Sequence, residues 1–239
     1  MTSPFLGEFM GTMVLVLIGD ANVCNVVLKK SKGEGSGWIV IATGWAMAVM
    51  AGVFVAIACG SGDAHINPAV TLGAAIISGN WDKLATYVPA QMLGAITGAI
   101  LVWLSYLPHW AATPDGGAKL ACFSTGPAIR NTVGNLLTEI IGTFLLMLII
   151  ASIVSKAVSP GPGLVPVLVG ATVWGLGLSI GGATGFSLNP ARDLGPRIAH
   201  AILPIPAKGD SDWGYAAIPV VGPLMGAAIA GVVVKVIGF

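Results

Sequence analysis

Two copies of one short sequence limit what this chain can fold into. Asn-Pro-Ala-x-x-Leu-Gly runs from Asn67 to Gly73 and again from Asn189 to Gly195. Each copy opens a short apolar run, Pro68–Ile77 and Pro190–Leu203. Neither run is long enough to cross a bilayer, because about eleven residues of helix cover about 16 Å, roughly half a hydrocarbon core. Proline suits the first turn of a helix, where its missing N–H is not needed. The pattern predicts two half-helices, each starting just after an asparagine.

Six other stretches are long and apolar enough to span a membrane. They are Phe5–Leu28, interrupted by Glu8 and Asp20, then Trp38–Ala58, Leu84–Leu107, Thr132–Ser155 with Glu139 inside it, Gly163–Ile180 and Tyr215–Val234. Only 9% of the 239 residues are charged and 55% are apolar, with a mean hydropathy of +0.89. A soluble domain carries about 25% charge and needs it to cover its surface. These values exclude a disordered chain, a coiled coil and a basic nucleic-acid binder. The net charge of +1 gives a polyanion nothing to bind. Alternating ten-residue strands are absent, which argues against a β-barrel. The expected class is an all-α, multi-pass protein of the cell membrane with the lipid bilayer as its surroundings. No basic stretch precedes the first apolar run and Glu8 lies within it, so a removable signal peptide is not expected. Cys24, Cys59 and Cys122 make an odd count without paired spacing, and they read as small apolar residues.

The repeat extends beyond the two boxes. Glu8-Phe9-Met10-Gly11-Thr12 opens the first span and Glu139-Ile140-Ile141-Gly142-Thr143 opens the fourth. The chain reads as one domain over 1–239, built from halves of about 1–107 and 132–239 joined by Pro108–Asn131. Each half has three spans, with a half-helix between the second and third. Three is odd, so the second half enters from the opposite face and the half-helices point at each other. Paired interruptions of this kind mark a site at the membrane midplane. Asn67 and Asn189 would cap the facing helix ends, where unpaired N–H groups and a partial positive charge collect.

The paired Asn-Pro-Ala boxes, the Glu-x-x-Gly-Thr repeat and the six spans resemble the aquaporin superfamily over nearly the whole chain. Arg192-Asp193 after the second box, Gly195-Pro196-Arg197 and Pro219-Val220 resemble its glycerol-facilitator branch of bacterial type. The resemblance implies six spans and two re-entrant half-helices around an hourglass pore, four such subunits together, and no enzymatic activity or cofactor. It implies passive permeation of glycerol, other small neutral solutes and water, with ions and protons excluded. Lactic acid, dihydroxyacetone, urea and hydrogen peroxide would also fit such a pore.

Site residues follow from the same resemblance. Asn67, Pro68, Ala69, Asn189, Pro190 and Ala191 would form the central junction. Arg192 would line the narrowest constriction with Trp45, Gly177 and Phe186. Two aromatics and a glycine would leave an apolar corner facing a polar arginine, which suits a polyol with carbons along one edge and hydroxyls along the other. Glu8 and Glu139 are costly at this depth unless bonded, and their symmetric placement favours structural support over proton coupling. His65 and Asp193 would also support the pore. Asp20 could line the pore mouth or accept bonds near a helix end. A coupled transporter would need an ion site, and an intramembrane enzyme would need an activated nucleophile or metal cluster. Neither is visible. The family topology puts both termini in the cytoplasm. That leaves eight of the 11 Lys and Arg on the outer side, opposite to the positive-inside tendency.

Overall fold

Polar and apolar residues are arranged inside out. Glu8, Asp20, Gln91, Glu139 and Asp193 are fully enclosed or nearly so, while Ile39, Leu93, Ile141 and Val232 are exposed on helix surfaces. That is the arrangement expected of a bundle whose outer solvent is hydrocarbon. The computed structural model describes residues 2–161 and 163–239, and all regular structure among them is helical.

Three helices of the first half are long: α1 (Pro4–Val27), α2 (Trp38–Ala58) and α4 (Leu84–Ser105), with the short α3 (Pro68–Ser78) between the last two. The linker carries two small helices, α5 (Leu107–Ala112) and α6 (Gly116–Ala121), which its composition did not announce. The second half repeats the order with α7 (Thr132–Val154), α8 (Leu164–Ser179), a four-residue turn α9 (Gly181–Thr184), α10 (Pro190–Ile202) and α11 (Ile218–Ile237). Five helices have the length and hydropathy of membrane spans. The sixth span, α8, has only 16 residues, about 24 Å. It ends at Ser179, and after α9 the left-handed Gly185, with φ of 83°, turns the chain into the loop before α10.

Packing follows the repeat. α1 lies between α2 and α4, and α7 packs on α11. Each half-helix leans on the last helix of the other half, α3 on α11 and α10 on α4. Glycine permits the closest contacts. A Cβ added at Gly98 on α4 would lie 2.6 Å from the Met13 carbonyl of α1. One added at Gly226 on α11 would drive into the Ile140 carbonyl of α7, at the equivalent place in the second half. Such contacts replace the hydrophobic drive that is missing between helices in lipid. Gly226→Ala is expected to destabilise the fold by about 1–3 kcal/mol, the usual range for overpacking. Gly175→Ala, which faces open space, is the control. Thermal unfolding in detergent checks the pair, and equal melting points would refute the close-contact account.

Candidate functional site

Asn67 and Asn189 cap the two half-helices and tie them together. Asn67 Oδ1 accepts from the Ala69 N–H at 2.8 Å, and Asn189 Oδ1 accepts from Ala191 at 3.0 Å and Arg192 at 3.3 Å. Pro68 and Pro190 occupy the first helical positions. Each cap then reaches across. Asn67 Nδ2 donates to the Leu188 carbonyl and Asn189 Nδ2 donates to the Ile66 carbonyl, both at 2.9 Å. Each amide has two N–H groups, so one remains for a molecule passing between them. Both helix N-termini are thus held at one level, with their positive ends together.

The loops leading into these caps are irregular in matching ways. Ala64 and Ile66 have φ of 43° and 42°, and Phe186 and Leu188 have φ of 40° and 52°. Left-handed backbone is unfavourable for such residues and costs about 1–3 kcal/mol each. Two buried carboxylates hold it in place. Glu8 accepts from the His65 and Ile66 N–H groups at 2.8 and 2.7 Å, and from Ser61 Oγ and Gln91 Nε2 at 2.6 and 2.8 Å. Glu139 accepts from the Ser187 and Leu188 N–H groups at 3.1 and 2.9 Å and from Thr184 Oγ1 at 2.7 Å. In both halves the bonded amides lie one and two residues before the capping asparagine.

A cavity runs through this junction. Leu15, Val49, Val53, Leu146, Val169 and Val173 give it an apolar side, and His65, Asn67, Ser187, Asn189 and Arg192 give it polar groups. At one end the Arg192 guanidinium lies over the Trp45 ring, 4.0 Å from its centroid. Phe186 also lines the cavity. Gly177 does not border it directly. A Cβ at Gly177 would sit 3.0 Å from Phe186 Cζ, so the glycine makes room for that ring.

Trp38 completes this wall, although no motif singles it out. Its Nε1 donates to the Gly177 carbonyl at 2.8 Å and its ring meets Phe186 edge-on at 5.7 Å. Trp38 stands two turns before Trp45, on the same side of α2, which is the one sequence signal that could have found it.

Asp193 does not line the cavity. It accepts from the Thr125 N–H and Oγ1 at 2.7 and 2.6 Å and pairs with Arg197 Nε at 2.9 Å. Arg197 in turn donates to the carbonyls of Ser211, Asp212 and Thr125. The pair fastens two long loops beside the second half-helix.

At the other end His65 faces both the cavity and a wider vestibule lined by Asp63, Thr71, Ser78, Asn80 and Lys83. The His65 ring contacts Thr71 Oγ1 through Nδ1 and Asp63 through Nε2, both at 3.2 Å. Asp63 also accepts from Tyr87 Oη at 2.6 Å and pairs with Lys83. Burial would raise its pKa, but these hydrogen bonds outweigh burial and hold the carboxyl well below its usual range. Asp63 lies in the Gly60–Asp63 stretch, whose partners could not be read from sequence.

What the fold and the cavity define is a membrane channel built on an inverted repeat. The chain belongs to the major intrinsic protein family, whose pattern it matches over residues 1–234. It is 56% identical over 225 residues to a probable glycerol uptake facilitator protein of Thermotoga maritima, covering 94% of each chain. It is 53% identical over 234 residues to the glycerol uptake facilitator protein of Streptococcus pneumoniae strain R6, covering 96% of this chain and 97% of that one. The X-ray structure of the aquaglyceroporin from Plasmodium falciparum superposes with a TM-score of 0.83 at 28% identity, over 97% of this chain and 94% of that one.

Because every hydrogen-bond partner of Glu8 is a donor, Glu8→Gln turns one accepting oxygen into an amide that opposes them. Two bonds should be lost, lowering stability by about 2–4 kcal/mol. The check is thermal unfolding of the variant in detergent, with Asp82→Asn at an exposed loop as the reference.

Proposed function

We propose that this chain is a passive channel for glycerol, other small neutral solutes and water, driven only by their gradients. The observation that carries it is the amphipathic constriction: the Arg192 guanidinium beside Trp45 and Phe186, in a cavity that runs on to the paired asparagines. A polyol can keep its hydroxyls on the guanidinium nitrogens that Asp20 does not hold and its carbons on Phe186 and the aliphatic lining. The names of the relatives support glycerol as the solute. The family and its relatives are channels and facilitators, and the chain is not an enzyme. The pore's other solutes would be small and uncharged, lactic acid in its undissociated form included.

Roles follow from position. Asn67, Pro68, Ala69, Asn189, Pro190 and Ala191 form the junction where cations meet two positive helix ends. Trp45, Phe186 and Arg192 form the selectivity filter, with Gly177 setting where Phe186 stands. Glu8, Glu139, His65 and Asp193 support the loops. The carboxylates of Glu8 and Glu139 are engaged by backbone donors, which leaves them unsuited to carry protons through a transport cycle. The working unit is a homotetramer with a pore in each subunit, and both termini face the cytoplasm. Many of the lysines and arginines on the outer side are bonded within the protein. Lys29 pairs with Glu34, Arg130 with Asp212 and Arg197 with Asp193. Lys208 donates to the carbonyls of His200, Ala201 and Leu203 at the end of α10, and buried Lys119 holds the Pro206 carbonyl. These charges fasten the outer loops.

Stopped-flow light scattering on proteoliposomes tests the whole reading. Glycerol flux should rise without saturation and ignore proton and sodium gradients; uphill accumulation would sink it. Gly177→His should push the Phe186 ring toward Arg192. Glycerol permeability is then expected to fall by more than about tenfold, a barrier increase above about 1.4 kcal/mol, with a smaller loss for water. Equal losses for both would argue against a filter at this point. Asn189→Asp places an anion between the helix ends, and planar-bilayer recordings should show a new cation conductance.

A further inference from the structure

One buried charge near the constriction takes no part in the helix caps or in the carboxylate bonds to the loops. Asp20 sits on α1 with its side chain 1% exposed, and neither carboxylate oxygen has a hydrogen-bond partner. An ionised carboxylate in that position is costly unless an opposite charge is close. Among the described residues, the one cation within reach is Arg192, whose Nη1 lies 3.9 Å from Asp20 Oδ1. Nη1 is also enclosed and without a hydrogen-bond partner, whereas Nε and Nη2 are not enclosed. The guanidinium therefore turns one nitrogen to Asp20 and leaves its other two for the cavity.

The stretch of α1 that carries Asp20 is closely packed. Its neighbour Gly19 lies flat against the Trp45 ring, the same ring that carries Arg192 on its face. Two residues on, Asn22 Nδ2 donates to the Val40 and Ile41 carbonyls of α2, both at 3.2 Å. α1, the indole and the guanidinium thus form a stack, with Asp20 at its edge. The other carboxylate near Arg192, that of Asp193, is committed to Thr125 and Arg197.

We propose that Asp20 is a positioning residue that sets solute specificity through Arg192. Its carboxylate holds Nη1 against the pore wall and offsets the guanidinium charge. The constriction then offers hydrogen-bond donors to neutral polar solutes with little net positive field. This rests on the reading of Arg192 as part of the selectivity filter. Without Asp20, the unopposed guanidinium leaves the wall for the cavity, where it is better solvated, and narrows the path for a polyol more than for water.

The test is a double-mutant cycle read as the ratio of glycerol to water permeability in the same liposomes. Asp20→Asn keeps shape and removes charge. With Arg192 in place it should lower the ratio about fivefold, and in the Arg192→Val background by less than about 1.5-fold. Arg192→Val alone should also lower thermal stability, because it strands a buried carboxylate, and adding Asp20→Asn should restore it. An unchanged ratio in Asp20→Asn, or equal shifts in both backgrounds, overturns the proposal. A ratio that Arg192→Val alone leaves untouched brings down the filter reading itself, and the proposal with it. If Asp20→Asn fails to fold, recovery of folded protein on adding Arg192→Val supports the pair, and failure of both variants overturns it.

Discussion

Backbone N–H groups cannot stay open at the depth of a bilayer core, and this rule governs the centre of the molecule. A solute path through the middle of a membrane needs backbone that is not helical, because a complete helix shows side chains and hides its polar groups. Glu8 and Glu139 resolve the conflict. Each buried carboxylate takes up two consecutive N–H groups of a loop that no helix or sheet could satisfy. Charge-assisted bonds of this kind are stronger than neutral ones, and they offset the cost of the left-handed residues at 64, 66, 186 and 188. With the loops fixed, the asparagines can cap their helices and reach across to one another.

The crossed asparagine bonds couple the two halves as closely as packing does. Asn67 holds a carbonyl of the second loop and Asn189 a carbonyl of the first. A shift of one half-helix therefore moves the acceptor of the other. Around this junction the lining combines valines and leucines with the asparagines, His65 and Arg192. Such a surface leaves a small uncharged molecule partly hydrogen-bonded throughout its passage and offers an ion far less than its hydration shell.

Much of this was legible in the sequence, for physical reasons. The half-helices show in the Asn-Pro-Ala boxes because proline at the first helical position and an asparagine cap are local signals. The bonding of Glu8 and Glu139 could be anticipated because a carboxylate in an apolar run must find donors, and the repeat indicated which loop supplies them. Long-range partnerships were less readable. The Trp38 ring against Phe186 joins residues 148 apart, and the Asp193–Thr125 bonds depend on how the central linker folds back. Asp20 illustrates the limit best. Its type and depth signalled an unusual group, but only the fold brings it beside Arg192.

The exchange of half-helices between the two repeats bears on how the chain is made. α3 rests on α11, and the two are separated by roughly 140 residues of sequence. At a synthesis rate of about 5–20 residues per second, the first half-helix waits on the order of ten seconds for its partner. For most of that time its facing loop lacks the second asparagine, and the Ile66 carbonyl lacks its donor. The conduit cannot exist in a nascent or truncated chain. A cell making this protein is therefore not exposed to a half-built hole in its membrane, since the last helix to leave the ribosome is also the one that seats the first half of the pore.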